Sequence, residues 1–170
     1  MLARSATIFK WTLYALAGLL WAAVQGAVLR RFSVFGVLPF LYPLLAAIPA
    51  TLEGPAPGAV YALVWGVVCD LLLPSSLPCF YTLIFPLVGL AAGLLSKSLI
   101  PAGYLCSAAS ALPAYLLTGV FHCIVLWAQG HAAWSAGISV TLRELCASLL
   151  WSLPMTWLFL RVFRRVHADD

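Results

Sequence analysis

Long apolar runs, separated by isolated charges or by proline and glycine breaks, set the pattern of this chain. An ionised side chain is costly at the centre of a bilayer, so charges mark where a membrane chain meets water. Lys10 and Arg30 bracket an uncharged run whose one strongly polar residue is Gln25, which predicts a helix over 11–29. Arg31 and Glu53 bracket a second over 33–52, kinked because Pro39, Pro43 and Pro49 each remove a backbone donor. Gly54-Pro55-Ala56-Pro57 then breaks the chain before a short third helix, 57–73, which carries Asp70 and stops at Pro74-Ser75-Ser76. The fourth, 79–95, opens with the interfacial aromatics Phe80 and Tyr81 and ends at Ser96-Lys97. The fifth, 104–129, contains Pro113 and closes at Gly130-His131. His131 to Val140 is too short to cross and holds Trp134, so it reads as an interfacial loop. A sixth helix, 145–163, runs between Arg143-Glu144 and the basic end Arg161, Arg164, Arg165.

These elements predict an all-α integral membrane protein, one transmembrane domain over 1–170: a compact bundle of about six transmembrane helices with short loops. Composition supports this, because 64% of the 170 residues are hydrophobic and 8% charged, against roughly 25% charged in a soluble domain. A globular monomer with so few charges would expose large apolar patches to water. Even crossings put both termini on one side, with Arg4, Lys10, Lys97, Arg161, Arg164 and Arg165, leaving Arg30, Arg31 and Arg143 opposite. The basic excess predicts cytoplasmic termini. A secretory signal peptide competes for the N-terminal run, but that run is longer than the usual apolar core of one, so it is expected to be retained. The net charge of +4 is small and lies at membrane borders, which sets nucleic acid aside. The basic C-terminal end is expected to meet anionic lipid headgroups.

Chemistry-bearing motifs are sparse. Cys69, Cys79, Cys106, Cys123 and Cys146 form no C-x-x-C pair and read as packing residues rather than a disulfide or zinc framework. Neighbouring His122 and Cys123 point about 100° apart on a helix and do not share one ligand. No nucleophile elbow, zincin helix or phosphate loop occurs, so no enzyme, catalytic residue, metal or cofactor is predicted.

The feature above this background is a stripe on the third helix. Gly58, Ala62, Gly66 and Asp70 recur every four residues along one face, and Gly89-x-x-x-Gly93 repeats the device on the fourth. Small residues at that spacing let helices approach closely where lipid supplies no hydrophobic drive, which marks a helix-packing or partner interface. Asp70 must also find a partner or water. At similar depth, His122 is a candidate for a buried polar pair with it, as are Arg30 and Arg31; a partner protein, a hydrophilic pocket or the nearby interface are the other ways to satisfy it.

The run from Glu53 through Gly66, Asp70 and Leu71 to Ser76, followed by Phe80-Tyr81-Thr82-Leu83 and Val88-Gly89, resembles the rod shape-determining protein MreD family. In that family a helix with a G-x-x-x-D-L ending precedes an aromatic-led helix with V-G-x-x-x-G, matched here by Gly66, Asp70, Leu71, Val88, Gly89 and Gly93. The motif covers roughly residues 50 to 96. Cys79 stands where the family often has glycine, and Leu90 where an aromatic is frequent. The resemblance implies a bundle similar to the substrate-binding subunits of energy-coupling-factor vitamin transporters. It also implies a non-catalytic component of the bacterial elongation machinery in the plasma membrane. Its partners would be the single-span MreC and, indirectly, the MreB filament and the peptidoglycan synthases. The stripe would then seat a helix from this bundle or from MreC, with Asp70 setting register. Two alternatives remain: a small-molecule binding subunit of a transporter, and an intramembrane enzyme or proton-coupled carrier built on Asp70 and His122.

Overall fold

A computed structural model describes residues 2–31, 36–73, 77–130 and 134–166, with the side chains of residues 2–6 and of Arg30 excepted. The chain is all-helical over those residues: α1 (Leu2–Ala27), α2 (Tyr42–Glu53), α3 (Pro55–Leu72), α4 (Phe80–Ser98), α5 (Tyr104–Ala128) and α6 (Trp134–Val166), with a 3-10 turn at Leu29–Arg31. Five of them, all but α2, are long and apolar enough to cross a membrane.

α2 corrects the expected 33–52 span. It has 12 residues, about 18 Å of helix at 1.5 Å per residue, against a hydrocarbon core of about 30 Å. Gly36 is at φ +75°, Pro39 steers Leu38 away from helical backbone, and Pro43 sits in the first turn of α2, where its missing N–H costs nothing. Residues 38–40 therefore carry no regular secondary structure, and the helix begins only beyond them. Every residue from Tyr42 to Leu52 is buried, and α2 touches all five other helices. This short helix is the core around which the longer ones pack.

Gly54 alone joins α2 to α3, at φ +95°, a conformation that glycine adopts without the clash a Cβ would cause. α3 lies against α4, α5 against α6, and α1 leans on α6 and α2. α6 is the second departure from expectation. The supposed interfacial loop is helical from Trp134 onward and continuous with the sixth helix; His131 lies outside the described residues, as does the break at Pro74-Ser75-Ser76. At 33 residues, α6 is about 50 Å long, so Arg143 and Glu144 lie inside it rather than at its border. α1 likewise extends back past Lys10.

Candidate functional site

The small-residue stripes are occupied within the chain. A Cβ built on Gly66 would lie 2.6 Å from the Tyr81 carbonyl oxygen and 2.8 Å from Thr82 Cα; one on Gly89 would lie 2.8 Å from the Gly58 carbonyl oxygen and 2.9 Å from Ala62 Cβ. Gly93 backs onto Pro55 and Gly54, and Gly58 onto Ala50 of α2. Backbone contact at this distance is what the glycines permit. Of the two occupants expected for the stripe, it seats the chain's own α4.

Asp70, one turn beyond Gly66, explains why that approach matters. Its carboxylate accepts hydrogen bonds from Tyr81 N at 3.0 Å, Thr82 N at 2.8 Å and Thr82 Oγ1 at 2.6 Å. These two amides belong to the first turn of α4, whose donors have no partner inside the helix and whose dipole favours a negative charge. Cys79, the residue in the capping position, is left-handed at φ +61° and offers no side-chain cap. Asp70 thus caps α4 from the neighbouring helix. The proposed pair with His122 is not formed: the imidazole instead meets the Phe80 ring edge-on at 5.7 Å. Arg31 is exposed and makes no ion pair with Asp70, and the Arg30 side chain lies outside the described residues.

A second carboxylate, Glu53, the charge expected just beyond the second helix, is the last residue of α2. Its side chain is 6% exposed and forms the one ion pair among the described residues, with Lys10 of α1. Tyr14 Oη donates to its other oxygen at 2.9 Å, and Tyr61 Oη donates to the Tyr14 carbonyl at 3.2 Å. Trp11, Tyr14, Tyr61 and Phe159 surround the pair with rings 5.7 to 6.2 Å apart. The signal for it was the placement of Lys10 and Tyr14 one helical turn apart on an apolar helix.

At the opposite end of α2 the irregular segment 38–41 runs through the bundle, and side chains satisfy its backbone. Gln25 donates to the Pro39 carbonyl at 2.6 Å and accepts from Leu41 N at 3.0 Å. Ser148 accepts from Phe40 N at 3.2 Å, and Tyr115 donates to the Phe40 carbonyl at 2.5 Å. Non-helical backbone at membrane depth is tolerated where protein buries it or where it lines a cavity, and both hold here. One cavity of about 330 Å³ lies between α4, α5, α6 and Phe40, walled by Phe80, Tyr81, Tyr115 and His122. A second of about 580 Å³ lies between Gln25, residues 36–40, Tyr42 and Leu73. Glu144 lines both. Gln25, Tyr115 and Glu144 were the residues missed; Gln25, the lone strongly polar residue of the first span, was the available signal.

Among the described residues no three His, Cys, Asp or Glu side chains converge as a metal site. The cysteines are unpaired, with Cys69, Cys106 and Cys123 buried and Cys79 and Cys146 exposed. Comparison of the chain with protein-family models, curated proteins and solved structures found no match.

Proposed function

We propose that this chain is a non-catalytic, multi-pass component of the bacterial cell-shape machinery, of the MreD kind, in the plasma membrane with both termini cytoplasmic, since residues 41–53 return the chain from the level of Gln25 to that of Lys10 and keep the number of passes even. It holds an MreC-like single-span protein and, through it, the MreB-like filament and the peptidoglycan synthases.

The observation that carries this reading is the behaviour of residues 50 to 96, where the resemblance lies. Four of the matched landmarks there do structural work, since Gly66, Gly89 and Gly93 bring α3 and α4 into backbone contact and Asp70 caps α4. Cys79, at the position where the family often has glycine, is the single non-glycine residue at positive φ among those described. A glycine preference at that position is what its backbone asks for. Since α4 fills the stripes, an MreC-like span docks elsewhere on the bundle.

The test is depletion of the protein in its rod-shaped host, with cell width followed by microscopy and capture of MreC assayed in the same cells. Rounding on depletion, together with capture of MreC by the protein before depletion, supports the reading; unchanged rods and no capture of MreC by the undepleted protein sink it. The cavities beside α2 favour a second reading, a small-molecule binding subunit of a transporter, under which depleted cells remain rods and require an external vitamin-like nutrient.

A further inference from the structure

We propose that the cavity beside Glu144 is a binding site for an ammonium group, with the Glu144 carboxylate as counter-charge and the aromatic rings around it as walls. The site shares Phe80 and Tyr81 with the segment that carries the cell-shape reading, but its counter-charge Glu144 lies outside that segment, so Glu144→Gln tests this proposal alone.

Charge is the first observation. Among the described residues Glu144 is the one carboxylate lining either cavity, and no lysine or arginine lines them. Unlike Asp70 and Glu53, Glu144 makes no hydrogen bond or ion pair with any described residue. A half-buried carboxylate in a membrane bundle gains most from a cation that enters its cavity. Its neighbour Arg143 does not serve, being exposed and turned about 100° away along the helix.

The walls supply the second observation. Phe40, Phe80, Tyr81 and Tyr115 all line the cavity. The Phe80 and Tyr81 rings meet at 87° with centroids 5.1 Å apart, and Phe40 lies 6.1 Å from Tyr81. Aromatic faces attract ammonium groups through the ring quadrupole, and several rings set at angles form a cage for them. The same walls disfavour an anion. The backbone amides of two lining residues, Phe40 and Tyr81, are already committed to Ser148 and Asp70. At about 330 Å³ the cavity matches the lower end of small-molecule sites, about 300–1,000 Å³. That is space for a small amine or for the headgroup of an amine-bearing phospholipid entering from the bilayer.

The experiment uses the full chain in nanodiscs of phosphatidylglycerol, which has no amine, titrated with radiolabelled choline and ethanolamine, and with butyrate as the anionic control. Saturable binding of a cation, no binding of butyrate, and at least tenfold weaker cation binding by Glu144→Gln are expected. Independently of any variant, choline should slow modification of Glu144 by a hydrophobic carbodiimide at least threefold. In nanodiscs mixed with phosphatidylethanolamine, retention of that lipid through native mass spectrometry identifies the headgroup as the source, whereas choline binding without lipid retention identifies a free amine. Absence of choline, ethanolamine and phosphatidylethanolamine binding overturns the proposal, as does equal binding by a folded Glu144→Gln variant. If that variant does not fold, an unaltered carbodiimide rate in the wild-type protein overturns it.

Discussion

Glu53 and Glu144 sit at opposite ends of the central helix and are treated in opposite ways. Around Glu53, Lys10 and Tyr14 take up both carboxylate oxygens, and four aromatic rings close over them. Around Glu144 the rings of Phe40, Tyr42, Phe80, Tyr81 and Tyr115 wall two cavities, and Glu144 lines both. A carboxylate with its partners supplied by the chain locks helices in register. One that no described residue pairs with leaves room for the cation proposed above. Asp70 belongs with Glu53: its negative charge is matched by the amides of α4.

That contrast breaks most visibly at Glu53. Glu53→Ala strands the largely buried Lys10 cation and the Tyr14 hydroxyl, an expected loss of about 4 kcal/mol; unfolding in a mild detergent checks it, and the double change Lys10→Met with Glu53→Leu should restore much of the loss. Asp70→Ala leaves two first-turn amides of α4 without an acceptor, for a loss of about 2 kcal/mol by the same measurement. Cys79→Gly relieves a left-handed backbone without touching any contact described above, so stability should rise by about 1 kcal/mol. Glu144→Gln is the smallest effect and the sharpest discriminator. With no partner to lose among the described residues, stability should stay within about 0.5 kcal/mol of the parent. A loss as large as that of Glu53→Ala would show that Glu144 is structural and erase the difference between the two ends.

The spacing of charges located most of the helices because lipid excludes charge and apolar runs must be long enough to cross it. α3, α4 and α5, at Pro55–Leu72, Phe80–Ser98 and Tyr104–Ala128, overlap the intervals 57–73, 79–95 and 104–129. At Lys10 and at Arg143-Glu144 the helices run on past the charges expected to border them. The exclusion acts between a charge and lipid, and it lapses where the charge finds a counter-ion or an open cavity. The prolines at 39, 43 and 49 pointed to an irregular second helix. That the chain would run without regular secondary structure through 38–40 depended on Gln25, Ser148 and Tyr115, three side chains from three other helices able to replace the lost backbone bonds.

Composition and apolar periodicity by themselves determined that this is a helical bundle suited to a membrane, and that α3 and α4 carry faces built for close approach. Those are local properties, written in segment length and in residue spacing along a helix. Tertiary structure alone decided which surface fills the stripes, which donors satisfy Asp70, and why Glu53 is closed while Glu144 is open. A carboxylate reads the same in any sequence, and only the groups brought to it from distant helices settle whether it is a strut or a site.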